Sequence, residues 1–267
     1  MQIKCKDFDP YHFRSDFVLP ADEFWRLHMQ AVYRHFFAQW FPGEGFRRIL
    51  KTDLFDEATI PFHPSLDLRQ HGTTLVGLDL SRQVVFRARH HLQPGCQLAI
   101  SDVRQLPFQS ESFDLIFSNS TLDHFSEKAG IKISLKELAR VLAPGGFLFI
   151  TLDNPHNPVI GFRNRLPFRI MNALGILPFY MGATLSHDDL VRSLQENGFS
   201  VRHSTFADFS PRLLLVWYRR LFSSAQTQCT GRILRGLWRF ERWCSRNCLV
   251  RLGCFIVVWA EKKGEVA

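Results

Sequence analysis

No stretch of this 267-residue chain approaches the roughly 18 consecutive apolar residues that a bilayer-spanning helix requires. Its longest apolar runs, "LLLVWY" and "CFIVVWA", suit a buried strand or helix instead. The first 20 residues hold no apolar run, so a secretory leader is not expected. The six cysteines, Cys5, Cys96, Cys229, Cys244, Cys248 and Cys254, form no C-x-x-C pair, which leaves a zinc or dithiol redox site without support. Reduced thiols and a cytoplasmic setting are the expectation. The histidines show no metal-ligand spacing, and no metal is expected. Internal repeats and low-complexity segments are missing too. Acids are scarce in one place. Residues 211–254 contain nine arginines and a single acid, Glu241, which accounts for the whole net charge of +8. A basic patch so confined points to an anionic surface or ligand near one element, not to a chain built to coat nucleic acid.

What is present is globular. With 46% hydrophobic residues the chain can bury a sizeable core, and its length suits one large domain with insertions. Residues 21–40, "ADEFWRLHMQAVYRHFFAQW", read as an amphipathic helix with Phe24, Leu27, Ala31, Phe36 and Trp40 near helical spacing. Strands are expected at 46–53, 75–80, 97–101, 113–118 and 147–152. Helices are expected at 82–91 and 131–142, the second closed by "APGG". After Asp153 an apolar, aromatic and basic stretch with many breakers leads to a helix at 186–197, where Ser186 and Asp189 have capping-box spacing. A strand at 199–203, a long helical stretch to about 247 and a strand at 255–260 complete the reading. Strands that alternate with helices imply parallel β-α units in a doubly wound sheet with right-handed crossovers. One segment departs from that picture. "ILKTDLFDEA", at 49–58, stands where a nucleotide-binding α/β protein turns on glycines, and it has none.

Three stretches carry a resemblance to a known family: "LVGLDLS" at 75–81, "SDVRQLPFQSESFDLIFSNSTLDHF" at 101–125 and "KELARVLAPGGFLFITLDN" at 136–154. In this order they resemble class I S-adenosylmethionine-dependent methyltransferases, in particular the ubiquinone and menaquinone methyltransferase branch. The resemblance implies an α/β, Rossmann-like, seven-stranded and mostly parallel sheet, with helical insertions in the C-terminal half. It implies a single domain over 1–267: a helical cap at 1–45, a cofactor-binding half at 46–154, and a substrate-side half at 155–267 with insertions around 155–185 and 211–248.

The resemblance also assigns residues. Asp79 would hold the cofactor ribose, followed by Leu80; a helix N-cap is the plainer reading. Asp102 with Val103 would meet the adenine, unless Asp102 only forms a turn. Ser118 and Asn119 end the fourth strand beside the methyl-donor position, or simply terminate it. Asp114 and Pro144–Gly146 are expected to be structural. In the first loop, Lys51 takes the place of the family's acid and Asp53 that of its first glycine, with Thr52 between them and Phe55 and Glu57 at the later glycines. Lys51 is then expected to face the carboxylate of the cofactor's methionine end and Asp53 its ammonium. The competing reading is a domain that has lost its cofactor. His124 and Asp123 are the candidates for a general base, and packing is the alternative for the histidine. His156 carries the same caution.

The acceptor must be read from the insertions. Arg232, Arg235, Arg239, Arg242 and Arg246 are spaced to share one helix face, with Ile233, Leu237, Phe240 and Cys244 on another. A basic amphipathic helix with nearby tryptophans suits an anionic membrane surface, or a solvated arginine face on a packed helix. The expectation is a small, lipophilic or membrane-associated acceptor methylated at oxygen or carbon, with peripheral membrane contact through 211–254. Nucleic acid is not expected, because an N/D-P-P-Y/F motif is missing. The rival is an inactive scaffold.

Overall fold

A computed structural model describes residues 23–41, 45–58, 72–92, 95–166, 182–210 and 227–264. The described elements are α1 (Glu23–Trp40), β1 (Arg48–Lys51), β2 (Thr74–Asp79), α2 (Arg82–His91), β3 (Gln97–Ile100), β4 (Phe113–Asn119), α3 (Lys128–Val141), β5 (Leu142–Asp153), α4 (Pro158–Arg163), α5 (His187–Glu196), β6 (Phe199–Ala207), α6 (Thr227–Cys244) and β7 (Phe255–Lys262). Short 3-10 turns lie at Leu122–His124 and Cys248–Leu252.

The strands form one seven-stranded sheet in the order β3-β2-β1-β4-β5-β7-β6. The first five run parallel, and β7 is antiparallel to both β5 and β6. Strand order reverses between β1 and β4, and at such a switch point the carboxyl ends of the strands frame a crevice. Both faces of the sheet are covered. Leu50, Ile116, Leu148 and Val258 pack with Ile131, Leu135 and Leu138 of α3 on one side. Ile49, Phe117, Phe149 and Trp259 pack with Met29, Tyr33 and Phe37 of α1 on the other. This two-sided burial explains the uninterrupted apolar runs of the central strands.

Local chemistry sets the edges of the elements. Ser81 caps α2 by accepting from Val84 N, and Ser186 caps α5 by accepting from Asp189 N, the bond that the sequence spacing implies. Asp114, expected to be structural, accepts from Arg47 N and Arg48 N at 2.9 Å each and ties the start of β1 to β4.

Several boundaries and faces differ from expectation. The core stripe of α1 is Met29, Val32, Tyr33 and Phe37, whereas Leu27 and Ala31 are exposed and Phe36 and Trp40 half-buried. Aromatic residues lie all round this helix, so spacing alone chose the wrong face; the Phe24 side chain lies outside the described residues. "APGG" does not form a separate turn. β5 begins at Leu142, directly after α3, and the register with β4 slips between Phe113 and Leu115 to absorb the extra residues. Gly145 has φ +74°, a conformation costly for any residue with a Cβ. On α6, Leu237 and Cys244 are buried as expected, but Phe240 is exposed. The segment "PRLLLVWYRRLF", together with Pro61 and Pro64, lies outside the described residues.

Candidate active site

At the carboxyl ends of β1, β2 and β4, an open cleft is lined by Thr52, Asp53, Leu78, Asp79, Leu80, Ser101, Asp102, Val103, Thr121, His124 and Phe125. Seven of the residues singled out in the sequence are among them: Thr52, Asp53, Asp79, Leu80, Asp102, Val103 and His124. Lys51, Ser118, Asn119 and Asp123 lie beneath the lining.

Asp79 ends β2 and is 2% exposed. Its Oδ1 accepts from Ser81 N at 2.7 Å and its Oδ2 from Leu54 N at 3.1 Å, so the β1 loop and the start of α2 both hang on one carboxylate. Burial pushes its pKa up to about 7, the nearby Asp53 carboxylate adds to the rise, and the two backbone N–H donors oppose it. Asp53 is 8% exposed and accepts from Phe55 N at 2.9 Å. Its pKa is raised mainly by burial, while Lys51 pulls it down.

The structure corrects the expectation for Lys51. Its ammonium is fully buried, pairs with Glu57 Oε2 at 3.1 Å, and donates to Asn119 Oδ1 at 3.2 Å and to the Asp53 carbonyl. It also lies 5.7 Å over the Phe117 ring. A cation so fully engaged inside the fold does not face a carboxylate in the cleft. Sequence reading placed Glu57 at a former glycine position and missed it as a partner. Glu57 stands beside Asp56 and close to Asp53, so no pattern in the sequence singled it out as the partner.

Ser118 and Asn119 are also internal. Ser118 accepts from Thr52 Oγ1 at 2.9 Å, and Asn119 holds Lys51. Thr52 Oγ1 lies 2.9 Å from Thr121 Oγ1, which brings the β1 loop against the segment after β4. On the far wall, Asp102 is gripped by Arg104, at 3.0 Å from Nε to each oxygen and 2.6 Å from the terminal nitrogen. The Arg104 guanidinium rests 5.0 Å over the Phe125 ring. That pair was not legible in the sequence, because i to i+2 contacts have no periodic signature.

His124 lines the cleft with its side chain 20% exposed, and its Nε2 lies 3.9 Å from Asp123 Oδ1. Asp123 is 1% exposed; Oδ2 accepts from Asp153 N at 3.1 Å, and Oδ1 accepts no hydrogen bond among the described residues. Burial, then the Asp153 carboxylate, pushes the pKa of Asp123 up to about 7. Asp153 itself is paired with Arg163 of α4. The segment that follows the undescribed residues 167–181 closes over this region. Gly182 N donates to Asp123 O at 2.7 Å and Ala183 N to Phe125 O at 2.6 Å, while Thr184 Oγ1 donates to Asp153 O. A Cβ on Gly182 would fall 1.9 Å from Phe125 O, so no larger residue fits there without moving the backbone. His156 is exposed beyond β5. Among the described residues no group of three or more histidines, cysteines or acids is placed to hold a metal ion.

Comparison with known proteins agrees with this geometry. Residues 62–150 match the family model described as a methyltransferase domain. The chain is 30% identical over 148 residues to tocopherol O-methyltransferase of Arabidopsis thaliana, covering 55% of this chain and 41% of that one. It is 36% identical over 93 residues to a phthiotriol/phenolphthiotriol dimycocerosates methyltransferase of Mycobacterium ulcerans, covering 33% and 32%. It is 41% identical over 75 residues to a Mus musculus protein named as a tRNA methyltransferase, 9B, covering 28% and 16%. The chain thus spans well under half the length of these curated relatives. Among solved structures, a S-adenosylmethionine-dependent methyltransferase of Methanosarcina mazei superposes with a TM-score of 0.56 at 16% identity, covering 85% of this chain and 97% of that one. One from Mesorhizobium loti gives 0.53 at 19% identity, covering 87% and 98%. The [4+2]-cyclase SpnF gives 0.54 at 17% identity, covering 87% and 80%. The central third of this chain matches the methyltransferase-domain family, and the chain has the Rossmann-like fold of class I S-adenosylmethionine-dependent methyltransferases.

Proposed function

We propose that this protein is a S-adenosylmethionine-dependent methyltransferase acting on a small, lipophilic or membrane-associated acceptor at oxygen or carbon. The observation that carries the reading is Asp79, a buried carboxylate at the end of β2 that opens on a cleft at the strand-order switch point. A carboxylate there accepts hydrogen bonds from both ribose hydroxyls, and its existing backbone donors fix its orientation. Leu80, Val103 and Phe125 give the apolar walls that an adenine ring needs, and Asp102 stands at their edge as acceptor for its amino group. Arg104 shares that carboxylate and would have to share it with the base. Asp53 is the acid for the ammonium of the methionine end; Lys51 supports it from beneath. The residues present therefore fit the cofactor in kind.

When bound, the cofactor supplies a methyl group already activated on a sulfonium, so alignment and exclusion of water are the main tasks left to the protein. An acceptor that keeps its proton at neutral pH also needs a base. His124 is the cleft residue able to take that proton, and Asp123 behind it stabilises the charged imidazole. The lipophilic acceptor is supported by relatives whose names specify tocopherol, phthiotriol dimycocerosates and a phytyl hydroquinone. It is also supported by α6, which exposes Arg232, Arg235 and Arg239 beside Phe240 and Trp243, stacked 6.2 Å apart, with Arg246 exposed just past its end. No described helix is long and apolar enough to cross a membrane, so the contact proposed is peripheral.

A tRNA acceptor is the second reading, favoured by the 9B relatives and by the same arginines. An inactive scaffold is favoured by the glycine-free loop. One set of assays separates them: transfer of a labelled methyl group to quinol-type lipids in anionic vesicles and to bulk tRNA, with vesicle co-sedimentation at low salt. Label in lipid supports the proposal and label in tRNA replaces it. Label in neither, with no vesicle binding, leaves the scaffold reading.

A further inference from the structure

The β1 loop has no glycines, yet it is a tightly tied turn. Lys51 draws Glu57, Asn119 and the Asp53 carbonyl together from below. Leu54 N reaches across to Asp79, Phe55 N returns to the Asp53 carboxylate, and Ala58 N closes a helical turn on Leu54 O at 2.8 Å. The result brings two carboxylates, Asp53 and Asp79, to the same cleft wall, each less than a tenth exposed.

The charges around this pair do not balance within the loop. Lys51 faces it from β1, but its ammonium is committed to Glu57. Asp56 adds a further negative charge from the loop itself. His124 faces Asp53 from the 3-10 turn. Arg104 on the opposite wall is bound to Asp102. Two buried carboxylates with one shared and already engaged cation do not both ionise easily. The raised pKa values of both groups agree with that geometry.

We propose that this loop makes the cleft a proton-linked receptor for a cationic ligand: the Asp53 and Asp79 pair together holds one proton in the free protein, Lys51 clamped on Glu57 fixes the loop that carries Asp53, and the ammonium of the cofactor's amino-acid end takes the proton's place, releasing it to solvent. The inference rests on the methyltransferase reading and adds to it a role for the residues that replaced the glycines. Asp53 determines specificity for the charged end, and Lys51 is a positioning residue.

The test is isothermal titration calorimetry near pH 7 in two buffers of different ionisation enthalpy, such as phosphate and Tris. The ligands are S-adenosylmethionine, S-adenosylhomocysteine and methylthioadenosine. The first two carry the ammonium, and the third keeps the nucleoside without the amino-acid end. Both amino-acid ligands should release about one proton on binding, and methylthioadenosine none. Asp53→Asn should abolish the release and weaken S-adenosylmethionine about tenfold or more, with methylthioadenosine affinity unchanged. A Lys51→Met/Glu57→Leu double variant, which removes the ion pair as a unit, should keep methylthioadenosine binding and shift the pH at which the proton is released. Equal proton release in wild type and Asp53→Asn overturns the inference. So does an equal loss of affinity for all three ligands, which marks a merely structural loop. Binding of the three ligands without proton release overturns this inference alone, and binding of none overturns the methyltransferase reading with it.

Discussion

Two buried charge clusters flank the end of β4, and they are built alike. At the β1 loop, Lys51 is locked to Glu57 and leaves Asp53 and Asp79 short of positive charge. At the 3-10 turn after β4, Arg163 is locked to Asp153 and leaves Asp123 short of it, with His124 at 3.9 Å. They differ in access. Asp53 and Asp79 line the open cleft, whereas Asp123 is sealed under Gly182–Thr184 and meets the cleft only through His124. An under-neutralised acid that opens on a cleft can be satisfied by a cationic ligand. A sealed one is satisfied only by a proton moving through its neighbour. Under the proposed methyltransferase reading, the same electrostatic device serves binding on one side of β4 and proton handling on the other.

The strongest way to break this comparison is to leave one cluster with an uncompensated charge. Lys51→Met strands Glu57 at a buried position and should cost about 3–5 kcal/mol in urea unfolding. Adding Glu57→Leu should recover most of that loss, because the pair is then replaced by apolar groups. If the single variant is as stable as wild type, the ion pair is not organising the loop.

Activity should separate the clusters next. His124→Gln should lower kcat by about 10²-fold or more for an acceptor that keeps its proton, with little change in S-adenosylmethionine affinity. Asp123→Asn should lower kcat less and flatten the rise of the pH–rate profile around neutrality. An unchanged profile removes Asp123 from proton handling.

Stability against pH sharpens the comparison further. Asp79 and Asp123 have folded-state pKa values raised to about 7, above the ordinary carboxylate range of an unfolded chain. Between these limits the folded protein holds protons that the unfolded chain has released. Their contribution is therefore complete below the unfolded pKa and is lost as pH rises through about 7. Midpoints of chemical unfolding should fall from pH 5 to pH 8. Asp79→Asn should flatten part of that slope and Asp123→Asn another part.

The smallest effects belong to the surface. Arg235→Glu or Trp243→Ser should change stability by no more than about 0.5 kcal/mol. Arg235→Glu reverses a charge and should weaken binding to anionic vesicles by more than about fivefold, since one basic side chain near such a surface contributes about 1 kcal/mol, and Trp243→Ser should weaken it by removing an apolar contact. Unchanged vesicle binding in both variants would remove α6 from the contact.

Much of this was legible in the sequence for a physical reason. Central parallel strands are buried on both faces, so "TLVGLD" and "FDLIFSN" announce themselves by composition, and the acid that ends the first stands at the cleft edge. Asp79, Asp102 and His124 were singled out through the family resemblance of the stretches that hold them. The first loop was legible only as a departure. A lysine at a strand end reads as a ligand-facing charge, and nothing in a one-dimensional pattern says that it turns inward to an acid six residues later. Helix faces rich in aromatic residues were misread for a related reason. Phe36 and Phe37, or Phe240 and Leu237, differ in burial through their neighbours in space and not through hydrophobicity. The grip of Gly182–Thr184 on the 3-10 turn joins distant segments and has no local signature at all.

The central claim is that the cleft beside Asp79 holds S-adenosylmethionine despite its glycine-free loop. Calorimetric titration of the folded wild type with S-adenosylmethionine, beside Asp79→Ala, tests it most directly. The account predicts saturable binding by the wild type and a loss of about 10²-fold in the variant, the size expected for two charge-assisted hydrogen bonds. No binding by a folded wild type, or equal binding by both proteins, would contradict it.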